Sequence, residues 1–176
     1  RTARLADILG PDAASPESIA AAWDRSRRAF RLAAPIGVGP NDATVEINLR
    51  RDGPHGLIAG TTGSGKSELL QSLVASLSVR IPPDLLNFVL IDYKGGSAFR
   101  EVEHLPQVVG VVTDLDERLA KRALESLKAE MRRREHLLAS VSATDIIEYQ
   151  SDRRDVPLAN LVIIIDEFHR LVSEQP

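Results

Sequence analysis

Residues 60–67 read Gly60-Thr61-Thr62-Gly63-Ser64-Gly65-Lys66-Ser67. Every fixed position of the Gly-x-x-x-x-Gly-Lys-[Ser/Thr] pattern is filled. No other stretch restricts the fold as much, because this loop works only between a strand and a helix. Residues 55–59 can end a short buried strand before it. Residues 68–77 follow with Leu69, Leu70, Leu73, Val74 and Leu77 at helical spacing. With glycine at roughly 7% of residues in proteins, a chance match in a chain this long is on the order of one percent or below.

Residue type dictates the chemistry of this loop. Gly60, Gly63 and Gly65 carry no Cβ, so the backbone can reach positive φ and approach an anion closely. Successive N–H groups, including those of Thr61, Thr62 and Ser64, then form a concave nest. The helix N-terminus adds roughly half a positive charge. Lys66 is expected to reach the β- and γ-phosphates of ATP, and Ser67 Oγ to ligate Mg²⁺. The plainer alternative is a Gly/Ser/Thr turn that happens to carry a lysine; it leaves the flanking strand and helix without a reason.

A second acidic feature lies a hundred residues on. Leu161-Val162-Ile163-Ile164-Ile165 is the most apolar run of the chain, and Asp166-Glu167 follow it directly. On a parallel strand this places Asp166 at the C-terminal edge, where its carboxylate can hold Mg²⁺ through the metal's water shell. Glu167 is then placed to accept a proton from an attacking water.

Composition narrows the class. The 176 residues suit one domain or part of a larger one, and they contain no cysteine, which removes disulfides and thiolate metal sites. No apolar run approaches the length that spans a bilayer. Arg1 in place of Met suggests an excised piece. A net charge of −3 argues against a uniformly basic nucleic-acid surface, though not against a local patch. The histidines (His55, His104, His136, His169) show no metal-ligand spacing; His169 follows the acidic pair closely enough to line its site.

The remaining elements can be placed in order. Residues 1–10 suit one or two amphipathic turns. Ser15-Pro16-Glu17-Ser18 opens a helix with Ser15 as N-cap, and Trp23 packs inward from it. Residues 35–40 and 44–49 read as strands around a turn at Asn41-Asp42, with Val45, Ile47 and Leu49 facing inward. Residues 86–91 are a parallel strand covered on both faces. It ends in Asp92-Tyr93-Lys94, which lie either near the ligand edge or in a plain surface turn. Residues 97–103 form a short helix and 108–112 a buried strand. A long helix over 117–139 starts from Asp114 and Glu117 in capping-box spacing, with Glu117–Lys121 and Glu130–Arg134 as i,i+4 pairs. Arg132-Arg133-Arg134 is the densest basic run, read first as a solvated face with ion pairs and second as a DNA or partner contact. A short helix begins at Thr144 or Asp145 and runs to Tyr149; Phe168 begins another.

Taken together, residues 53–73, 90–99, 105–116, 132–138 and 161–168 resemble the FtsK/SpoIIIE group of motor ATPases. Within it they look most like the type VII secretion ATPases of the EccC kind. The resemblance covers most of the chain from Pro35 onward. It implies an α/β, RecA-like P-loop NTPase core with a mostly parallel sheet and helices on both faces, spanning 35–176 behind a helical lead-in at 1–34. Lys66, Ser67, Asp166 and Glu167 match the group's Walker residues, with Lys66 and Glu167 in the catalytic roles. Gln107 and His169 depart from the His and the small residue more usual there. The group's cores carry further strands after this point, with the sensor and the trans-acting arginine on them, so the C-terminal part of the core is expected to be missing. The resemblance further implies ATP and Mg²⁺, sister motor domains in a ring or in tandem, and a membrane-anchored polypeptide on the cytoplasmic side of the cell membrane. The moved polymer is a secreted polypeptide or, in the alternative reading, double-stranded DNA. A nucleotide-binding regulatory or assembly module without efficient turnover is the third reading.

Overall fold

The computed structural model describes residues 4–61, 63–93, 95, 98–113, 117–152 and 158–169. They fall into two compact units, one drawn from 1–83 and 98–107, the other from 84–97 and 108–176.

The first unit opens with two helices, α1 (Leu5–Leu9) and α2 (Pro16–Arg28). Ser15 accepts a hydrogen bond from the Ser18 N–H at 3.2 Å, and Pro16 fills the first helical position, as the sequence predicts. Strands β1 (Ala33–Val38) and β2 (Thr44–Asn48) form an antiparallel pair. Their turn holds Asn41 at φ 58 and Asp42 at φ 56, a left-handed conformation that short polar side chains tolerate. The base of this ribbon is packed, with Ala34 fully buried. Its tip is not. Val45, expected inward, is 44% exposed, and Ile36 and Val38 are exposed with it. The ladder shifts register between Pro35 and Gly37, where β1 carries one extra residue and its own alternation changes face.

Helix α3 (Lys66–Ser78) turns Leu70, Leu73, Val74 and Leu77 into the core. The last carbonyls of a helix have no intrahelical donor, and here separate segments supply one. Trp23 Nε1 donates to Ser78 O at 3.0 Å, and Gln107 Nε2 donates to Ser78 O at 2.9 Å and Ile81 O at 2.8 Å. Just beyond, Ser26 Oγ donates to Arg80 O at 2.7 Å. Helix α2 is thereby fastened to the far end of α3. The short helix expected over 97–103 is a single turn among the described residues, with the Val102 and Glu103 N–H groups both donating to Phe99 O at 2.9 Å. Ala98, Phe99 and Val102 are buried, and pinning these three apolar groups fixes the turn without further helix.

One expectation fails at the loop itself. Residues 55–60 form no strand; Leu57 is 82% exposed. An extended segment becomes a strand only when a neighbour accepts its backbone hydrogen bonds, and among the described residues no strand pairs with it.

The second unit is a parallel sheet in the order β4-β3-β5, formed by β3 (Leu86–Asp92), β4 (Val108–Thr113) and β5 (Asn160–Asp166). Leu86, Phe88 and Leu90 are fully buried on one face. The other face meets α4 (Glu117–Ser140) across a cavity of about 350 Å³ lined by Val89, Gly110, Leu127 and Arg134. Two-sided burial of these strands is incomplete: Val109 is 60% exposed and Ile163 39%. Both lie on outer strands, each with one edge unpaired among the described residues. Glu130 is held by Arg133 and Arg134 at 2.7 Å each, and Arg134 Nη1 also donates to Ala159 O at 2.6 Å, which ties α4 to the start of β5. The expected cap at Asp114 and the Glu117 side chain lie outside the described residues. Helix α5 (Ile146–Asp152) is capped by Asp145, whose Oδ1 accepts from the Ile147 and Glu148 N–H groups, and it runs past Tyr149.

Candidate functional site

In the first unit the phosphate-loop residues are drawn into a tight turn ahead of α3. Gly63 and Gly65 hold φ 80 and φ 87, left-handed values that a Cβ would strain. Gly60 instead leaves room beside Ser64, whose side chain would have to give way to a larger residue. A Cβ there would collide with Ser64 Oγ and lie 3.3 Å from Ser64 Cβ. The Ser64 N–H donates to Thr61 O at 3.0 Å and closes the turn. Gly65 is the N-cap of α3, so Lys66 and Ser67 are its first two residues. Their N–H groups belong to the set that a helix start leaves for an anion. Thr61, Gly63 and Ser64 are exposed, while Lys66 and Ser67 are half-buried; Thr62 lies outside the described residues.

The acidic pair closes β5 in the second unit. Asp166, only 4% exposed, is the last residue of the strand. Its Oδ1 accepts from the Glu167 N–H at 2.9 Å. Glu167 leaves the strand at φ 55, a sparsely populated conformation for a residue with a Cβ. That sharp turn re-aims its side chain away from the strand's alternation. His169 Nδ1 lies 3.3 Å from Glu167 Oε2, so the histidine flagged in the sequence does touch this carboxylate. A carboxylate and a hydroxyl are hard oxygen donors, which suits Asp166 and Ser67 to Mg²⁺.

Asp92, which the sequence leaves either near the ligand edge or in a plain surface turn, is buried at the end of β3. In the parallel pairing Asp92 is the register partner of Asp166, and Thr113 that of Asp92. Asp92 is 1% exposed. The available signal was that two aliphatic strands each end in Asp, which parallel pairing brings level. Lys94 lies outside the described residues. The basic run is largely engaged on its own helix, through Arg133 and Arg134 with Glu130. Arg133 chiefly, and then Arg134, holds the Glu130 carboxyl down at about 2.

A parallel α/β sheet and a glycine loop feeding a helix define a P-loop ATPase fold. The family model for FtsK/SpoIIIE matches residues 19–176, and the chain belongs to that family. The type VII secretion system protein EssC of Staphylococcus aureus is 42% identical over 160 residues, covering 88% of this chain and 11% of its own length. The cytoplasmic domain of the type VII secretion ATPase EccC from Thermomonospora curvata superposes with a TM-score of 0.88 at 35% identity, over the whole of this chain and 22% of that one. The pCW3 conjugation coupling protein TcpA, in its monomer form with ATPγS, gives a TM-score of 0.66 at 26% identity over 86% of this chain and 40% of that one. The chain thus spans about a tenth of the length of the curated relatives it matches. Among the described residues no helix is long and apolar enough to cross a membrane.

Proposed function

We propose that residues 35–176 form the core of an ATPase that powers protein export in a type VII secretion-like system, with 1–34 as its helical lead-in. The observation that carries this reading is the loop geometry: two left-handed glycines deliver Lys66 and Ser67 into the first turn of α3. The loop N–H groups and Lys66 bind the β- and γ-phosphates. Ser67 Oγ and Asp166 hold Mg²⁺, which when bound offsets charge on the phosphate oxygens. Glu167 takes a proton from water as the water oxygen bonds to the γ-phosphorus and the bond to the β-phosphate oxygen breaks, releasing ADP.

The export reading is supported by the likeness to the type VII secretion proteins EssC and EccC. A DNA track is less favoured: the net charge is −3, and two of the three residues in the densest arginine run are paired with Glu130. The partners proposed are a secreted polypeptide, sister ATPase domains, and the membrane through regions outside these residues, on its cytoplasmic side. The test is nucleotide binding by the complete protein. Lys66→Ala should weaken ATPγS binding at least about tenfold, since the charge-assisted phosphate contact is lost. Unchanged affinity would contradict the reading.

A further inference from the structure

We propose that His169 is a positioning residue for Glu167, one that fixes the orientation of the carboxylate read above as the base of ATP hydrolysis. The inference rests on that reading and goes beyond it, because His169 belongs to neither the glycine loop nor the acidic pair.

Three observations converge. The first is the contact itself, His169 Nδ1 at 3.3 Å from Glu167 Oε2. A carboxylate only accepts, so Nδ1 is the donor, and it carries its hydrogen both in the imidazolium and in one of the neutral tautomers. The second is the backbone between the two residues. β5 ends at Asp166, and residues two apart on a helix do not face each other. The pair forms across the left-handed turn at Glu167, φ 55, where the chain leaves the strand before the helical residues 168 and 169. The third is exposure. The Glu167 side chain is 21% exposed and that of His169 71%, so the histidine is the outer partner of the two.

A glutamate side chain has several rotatable bonds, and ordering it costs entropy that some contact must offset. A bond to Oε2 fixes the plane of the carboxylate, and it adds to any other contact the side chain makes. A general base works only within hydrogen-bond reach of the proton it takes, so its aim matters as well as its basicity. Removing the donor should therefore slow the chemical step and leave the nucleotide contacts of the glycine loop intact.

The test is single-turnover hydrolysis of Mg·ATP by the complete protein, with ATPγS affinity measured alongside. His169→Leu keeps the bulk and removes the donor. It should slow the chemical step about tenfold with ATPγS affinity unchanged, short of the roughly 10²-fold that misplacement by about 1 Å can cost, because His169 is largely exposed. His169→Asn, whose Nδ2 can take the place of Nδ1, should recover most of the rate. In a Glu167→Gln background His169→Leu should change nothing further, since no base remains to be aimed. An unaltered or faster step in His169→Leu would overturn the proposal. So would equal losses in His169→Leu and His169→Asn, a fall in ATPγS affinity matching the fall in rate, or additive losses with Glu167→Gln. If His169→Leu does not fold, His169→Ala carries the same expectations. The Glu167→Gln arm separates this from the reading beneath it: hydrolysis at the unaltered rate there removes the base assignment itself, whereas a stalled Glu167→Gln beside an unaltered His169→Leu removes only the role of His169.

Discussion

Glu130→Gln tests how α4 is held. Glu130 accepts two bonds from Arg133, at 2.7 and 2.8 Å, and one from Arg134 at 2.7 Å. These bonds lower its carboxyl from 4.5 to about 2. At about 1.36 kcal/mol per pH unit, that displacement corresponds to roughly 3 kcal/mol. The side chains of Glu130 and Arg133 are 30% and 57% exposed, so water screening reduces the usable part to about 1–2 kcal/mol. A carboxyl whose folded value is lowered stabilises the fold above its unfolded value, near 4.5. The contribution is lost as pH falls through about 2. The chain has no cysteine, so a label on a Lys128→Cys background reports on α4. Urea unfolding followed through that label should show Glu130→Gln less stable by about 1–2 kcal/mol at pH 6, the gap narrowing steadily from pH 4.5 to pH 2. A gap that stays constant across that range would refute the ion-pair origin of the effect.

Two further substitutions probe the first unit. Gly65→Ala meets nothing within 4 Å but inherits φ 87, so its cost is backbone strain of about 1–2 kcal/mol. ATPγS affinity should fall roughly tenfold or more, and titration of the complete protein checks it. Gln107→Leu removes the side-chain donor to Ile81 O and one of the two to Ser78 O, where Trp23 Nε1 remains, which should cost about 1–3 kcal/mol in urea unfolding. A loss below about 0.5 kcal/mol would mean those carbonyls find other donors.

Local chemistry was the legible part of this chain. The loop at 60–67 and helix α3 were readable because glycine positions and apolar spacing act over a few residues. Ser15 as a helix cap was readable for the same reason. Long-range pairing was not. Trp23 and Gln107 reach Ser78 across 55 and 29 residues, and no local pattern announces such a bond. The strand expected before the loop failed because strand formation depends on a neighbour, whatever its own apolar content. Val45 failed because it lies at the tip of the hairpin, beyond the packed base, where Ile36 and Val38 are exposed too. Glu167 was chosen for its chemistry, yet its left-handed backbone and its contact with His169 come from the turn after β5. Asp92 stood in plain view, but only strand pairing brings it level with Asp166.

The most direct measurement is single-turnover hydrolysis of Mg·ATP by the complete protein carrying Glu167→Gln, with bound nucleotide quantified alongside. If Glu167 is the base, ATP should bind with affinity close to that of the unaltered protein and persist unhydrolysed, with the chemical step slowed about 10²–10⁴-fold. Hydrolysis at the unaltered rate would contradict the assignment of Glu167 and, with it, the proposed reaction.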